Sequence, residues 1–126
     1  MLIKLTSEKS IGVLRQVIEE KAKQAGFGVM SVHDVSGILQ SKGVPINYPC
    51  VIIEVCSPRH ASQVLSKNPS IATAMPCRIA LYESEGKTVI ETIAPTKMLE
   101  AYEEPELKPV AEEVEELLTN ILKESA

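Results

Sequence analysis

A chain of 126 residues is one domain by default, long enough to bury roughly 65–70% of its unfolded surface without disulfides or a structural metal. With one Phe, three Tyr and no Trp, its core must be built from Val, Ile, Leu and Met. The net charge of −4 divides into +3 over residues 1–99 and −7 over residues 100–126, where nine Glu face two Lys, and this acidic end argues against nucleic acid as the main partner.

In chain order, Leu2-Ile3-Lys4-Leu5 reads as a short strand, and Ser7 as the cap of a helix running to about Ala25. That helix carries Ile11, Leu14, Val17, Ile18, Ala22 and Ala25 as one apolar stripe, and Gly26 stops it. Phe27 to His33 is a strand, and Asp34 caps a short helix from Val35 to Lys42. Residues 43–50, with one Gly and two Pro, form a loop. Val51 to Cys56 is a strand rich in β-branched residues. Ser57 and Pro58 then open a helix that ends near Lys67. Cys77 to Glu83 and Lys87 to Ala94 form a hairpin around Ser84-Glu85-Gly86. A short helix follows over Thr96 to Tyr102, and Pro105 introduces a last helix with Val110, Val114, Leu117, Leu118, Ile121 and Leu122 on one face.

The hairpin excludes an all-parallel sheet. The expected fold is α+β, a two-layer domain with helices mainly on one face of a mixed or antiparallel sheet. Strand alternation places Val51, Ile53, Val55, Cys77, Ile79 and Leu81 against the helices. Glu54, Cys56, Arg78 and Tyr82 then share the opposite face, because an unpaired buried guanidinium would be costly. Glu54 and Arg78 form a natural ion pair if their strands are neighbours. Cys77 becomes an apolar filler and a poor disulfide partner for Cys56, which points the other way.

The run Glu54-Val55-Cys56-Ser57-Pro58-Arg59-His60 is the densest chemistry in the chain. A thiol at a helix N-terminus beside Arg59 and His60 is expected to have a lowered pKa, which would suit a nucleophile, a sulfur carrier or a redox group. With no Cys-x-x-Cys and only two His, no metal site is expected. Gly26-Phe27-Gly28 follows a helix and precedes a strand, the reverse of a dinucleotide fingerprint, so no cofactor is expected either. No apolar run approaches the ~20 residues of a membrane span, and the first five residues are too short for a signal-peptide core. Three cysteines without a secretion signal fit a cytoplasmic protein with no membrane partner.

Three runs carry a resemblance: Val35-Ser36-Gly37-Ile38-Leu39 with Gly43, Ile53-Glu54-Val55-Cys56-Ser57-Pro58 with Ala61, and Met75-Pro76-Cys77-Arg78-Ile79-Ala80-Leu81-Tyr82-Glu83 with Gly86. Through them the chain resembles, over about residues 8–97, the family known as domain of unknown function number 302. Residues 98–126 then read as a C-terminal helical extension of a single domain spanning 1–126. The resemblance implies a small sheet-and-helix domain that forms dimers in some members, and no established activity. The family's characteristic positions fall here on Cys56, Pro58, Pro76, Cys77 and Arg78.

The leading expectation is a homodimeric domain binding a small anionic ligand, with Glu54, Cys56, Arg59, Arg78, Tyr82, Asn47 and Tyr48 around it and Arg78 meeting the anion. The alternatives are a thiol enzyme or sulfur-transfer protein using Cys56 assisted by His60, and a structural or regulatory dimer with no ligand.

Overall fold

The computed structural model describes residues 1–126. Five strands, β1 (Leu2–Ser7), β2 (Gly28–Asp34), β3 (Cys50–Cys56), β4 (Cys77–Ser84) and β5 (Lys87–Ile93), form one sheet in the order β1-β5-β4-β3-β2. Every neighbouring pair is antiparallel. Five helices, α1 (Ile11–Gln24), α2 (Val35–Ser41), α3 (Pro58–Lys67), α4 (Pro95–Leu99) and α5 (Lys108–Ser125), pack on one side, which is the α+β class expected from the sequence.

Local chemistry accounts for most boundaries. The β4–β5 hairpin closes through Glu85 and Gly86, both at positive φ (53° and 78°), a two-residue turn whose twist suits antiparallel strands. Asp34 caps α2 by accepting from the Gly37 N–H at 3.1 Å. The first helix differs from the sequence reading. It is capped by Ser10, which accepts from the Val13 N–H, and it starts at Ile11. Ser7 instead ends β1, buried, with its hydroxyl donating to the Ala126 carbonyl at 2.9 Å.

The core joins Leu14, Ile18 and Ala22 of α1 and Phe27 to Ile53, Val55, Ile79, Leu81 and Ile90 of the sheet and to Leu118, Ile121 and Leu122 of α5. Ile53, Val55, Ile79 and Leu81 are fully buried, as strand alternation predicts. The opposite face of the sheet carries no helix. In β3 and β4 it presents Glu54 opposite Arg78, Ile52 opposite Ala80 and Cys50 opposite Tyr82.

Candidate functional site

The two faces of the sheet hold different chemistry. On the open face, Glu54 is a hub. One carboxylate oxygen accepts from the Ser31 hydroxyl at 2.7 Å and lies 2.8 Å from His33 Nε2, and the other lies 3.4 Å from Arg78 Nε. The bonds from His33 and Ser31 hold the Glu54 carboxyl below its ordinary range, with the charges of His33 and Arg78 adding to them. Its folded-state pKa is therefore depressed. The stability linked to its ionisation is present above the ordinary carboxylate range and is lost as pH falls through the lowered value. Further along the same face, the Tyr82 hydroxyl donates to Glu91 at 2.6 Å, and that bond pushes the phenol above its usual pKa. Tyr48 packs edge-on against Tyr82, with ring centroids 6.2 Å apart.

The expected ligand residues therefore separate. Glu54, Arg78, Tyr82 and Tyr48 belong to the open face, and Asn47 is exposed in the loop leading into β3. Cys56 ends β3, about 20 Å along the strand from Cys50 at the loop side. Arg59 and His60 point to the helical layer, where both reach Glu113 of α5 at 2.9 and 3.2 Å.

The lowered pKa expected for the Cys56 thiol is not found. Arg59 and His60 contact Glu113, and Arg78 contacts Glu54. Burial pushes the Cys56 thiol up, against the lowering expected from the helix N-terminus. Cys50 is raised by burial as well, and Cys77 is pushed up to about 11, chiefly by burial and also by the nearby Cys56. All three thiols are free. Iodoacetamide should therefore label Cys77 slowest, with its rate climbing only toward pH ~11, and should label Cys50 and Cys56 no faster than a free thiol. Preferential labelling of Cys56 at neutral pH, read by mass spectrometry, would contradict this.

The helical side holds what the sequence concealed. An apolar cavity of about 100 Å³ lies where the end of β3 meets α3, the 69–76 connector, α4 and α5. Fifteen of its eighteen lining residues are hydrophobic, including Met75, Met98 and Val114, and Cys56, Ser57 and Cys77 border it. A second depression of about 260 Å³ opens on the bare face beside Arg78, Ala80 and Glu91. Only Pro76, Cys77 and Met98 border both. No single spacing in the sequence announces the first cavity, because its wall is gathered from five separated segments.

His60 is another residue whose setting was hidden. It is 4% exposed, although it lies on the first turn of a surface helix. The Ser57 hydroxyl sits 2.6 Å from its Nδ1, and Glu113 sits 3.2 Å from its Nε2. Ser57 occupies the N-cap position of α3, yet its side chain makes no capping bond.

Among known proteins, the model of the family described as domain of unknown function DUF302 matches residues 3–125. That span includes the C-terminal helix, which the resemblance over residues 8–97 left outside. A solved crystal structure, that of an uncharacterized conserved protein DUF302 from Bacillus stearothermophilus, is similar over 99% of this chain and 98% of that one, with a TM-score of 0.95 and 31% identity. No curated protein matches.

Proposed function

The chain belongs to the DUF302 family, and from the cavity built by that fold we propose that it is a homodimeric binding domain for a small apolar molecule. The observation that carries this reading is the cavity of about 100 Å³ bordered by two methionines and two cysteines. A cavity of ~150 Å³ with apolar walls takes up benzene, so this one suits a group of about four or five heavy atoms. Met side chains are flexible and polarizable, which lets such walls adapt to shape. An anionic ligand at Arg78 fits less well. The guanidinium already faces the ionised Glu54, and Glu91 adds a second negative charge to the depression beside it.

The four methionines provide the test. Met75 and Met98 line the cavity, whereas Met1 and Met30 are exposed at 69% and 64%. In methyl-labelled protein under rising xenon pressure, the Met75 and Met98 resonances should shift and saturate while Met1 and Met30 stay in place. Ala111→Leu, which adds bulk at a buried wall position, should abolish the response. Unmoved Met75 and Met98 methyls in the wild-type protein would sink the reading.

The dimer is supported by the bare sheet face. Leu2 and Ile93 are exposed there at 58% and 48%, next to side chains of both signs, Lys4 and Arg78 against Glu54 and Glu91. A two-fold axis would let such a face meet itself with charges matched, and a stable interface needs about 1,000 Å² in total. Sedimentation equilibrium should show a dimer at tens of micromolar, weakened by Ile93→Glu. A monomer throughout that range would remove the dimer from the account without touching the cavity.

A further inference from the structure

The polar chain that starts at the cavity wall has the order of a nucleophile, a base and a carboxylate. Ser57 borders the cavity and is 9% exposed. Its hydroxyl lies 2.6 Å from His60 Nδ1, and His60 Nε2 lies 3.2 Å from Glu113 Oε1. The two ring nitrogens of His60 face different partners. The contacts with His60 and with Arg59 hold the Glu113 carboxyl below its usual range, so it is an acceptor only. With the hydrogen on Nε2, the His60 ring faces the Glu113 carboxylate at 3.2 Å. In the neutral ring this leaves Nδ1 as the acceptor, and the Ser57 hydroxyl donates to it. Arg59 Nη2, 3.4 Å from His60 Nε2, is a second donor to the same Glu113 oxygen.

We propose that Ser57 is an acyl-accepting nucleophile with His60 as its base and Glu113 as the group that fixes the ring, acting on esters of short-chain carboxylic acids whose acyl group lies in the apolar cavity. The inference rests on the binding reading above and names its substrate class. In the step, Ser57 Oγ bonds to the ester carbonyl carbon as its proton passes to His60 Nδ1. The C–O bond to the alcohol then breaks, and the alcohol leaves with that proton. Water repeats the sequence on the acyl-serine, returning the proton to Ser57 and releasing the carboxylic acid.

Two features of the fold serve this chemistry. Ser57 stands at the turn from β3 into α3, where a nucleophile is held out at the end of a strand. Its hydroxyl is committed to His60 and caps nothing, so the first-turn N–H groups of Arg59 and His60 receive no side-chain cap. In the proposed step they would be the donors to the developing oxyanion, at the positive end of the helix. Pro58, which follows the nucleophile, has no N–H, so this role falls to the next two residues. The cavity limits the acyl group to about four carbons, on the scale of a ~150 Å³ site that takes benzene.

The experiment uses 4-nitrophenyl butyrate with the intact protein, following release of 4-nitrophenol and locating any butyryl adduct by mass spectrometry. The expected result is turnover with a butyryl group on the Ser57 peptide, abolished in Ser57→Ala and slowed about 10²-fold or more in His60→Asn. The wild-type adduct decides the matter even if a variant fails to fold. No adduct on Ser57, or an adduct only on a cysteine, overturns the proposal. If the Met75 and Met98 methyls still respond to xenon in that case, the binding domain stands and only the chemistry falls. Acylation of Ser57 in protein whose methyls ignore xenon overturns the assignment of the acyl group to the cavity.

Discussion

Val55→Asp should abolish folding, while Arg78→Met should leave the protein folded within about 1 kcal/mol of the parent. Val55 is fully buried in the core, opposite Val29 on one neighbouring strand and Cys77 on the other. A carboxylate placed there meets aliphatic side chains and a thiol raised to about 11, neither of which can pair with it. Burying an unpaired carboxylate costs several kcal/mol even after it takes up a proton, and the change also removes the packing of the lost methyl groups. A domain of this size has only about 5–15 kcal/mol in total. Arg78 differs in every respect: its side chain is 54% exposed and its ion pair with Glu54 is at 3.4 Å on the open face. Its removal also leaves Glu54 hydrogen-bonded to Ser31 and His33, so no unsatisfied carboxylate results. Urea denaturation followed by far-UV circular dichroism compares the two. A cooperative Val55→Asp transition near that of the parent, or an unfolded Arg78→Met, would refute the face assignment.

That assignment was legible because it rests on local rules. Period-two alternation in residues 51–56 and 77–82 sorts aliphatic from charged side chains, and it predicted the Glu54–Arg78 pair that the register of β3 and β4 produces. The hairpin, the cap at Asp34 and the amphipathic stripes of α1 and α5 were legible for the same reason. Apart from the cap of α1, which is Ser10 and not Ser7, the failures involve long-range contacts. Strand order depends on pairing β1 with β5, elements more than eighty residues apart. Cys56 was read from its sequence neighbours Arg59 and His60, but both are drawn away by Glu113, 54 residues beyond Arg59. His60, on the first turn of α3, is buried where Glu113 of α5 lies against it. The cavity needed five segments to meet, and no motif encodes that. The reach of the family domain was underread because the motifs that carry the resemblance end before α5 begins, while the family match continues to residue 125.

The chain ending at Leu107 should therefore fail to fold as a cooperative unit. Helix α5 supplies Leu118, Ile121 and Leu122, three of the twelve residues in the buried core, and adds Ala111 over the cavity. Fully burying a leucine or isoleucine is worth ~1.5–3 kcal/mol, so these three side chains together contribute about 5–9 kcal/mol. Releasing the helix recovers conformational entropy, but it also uncovers the face of α1 that bears Leu14 and Ile18. Two ties at the very end would go with it, the Ser7 hydroxyl to Ala126 and Lys9 Nζ to the Ser125 carbonyl at 2.8 Å. Glu113 would be lost too, leaving His60 without its partner and Arg59 without a counter-charge. A gentler change grades the effect. Leu118→Ala, at a site with no exposure, should cost about 3–5 kcal/mol while keeping a single cooperative transition. Amide dispersion in proton–nitrogen NMR spectra distinguishes the cases. Leu118→Ala should keep the native pattern with a lower melting temperature, and the chain ending at Leu107 should collapse to the narrow dispersion of an unfolded or molten state. A dispersed spectrum and a cooperative melt from the shortened chain would mean that α5 is an appendage, and that the sheet with α1 to α4 already holds a complete core.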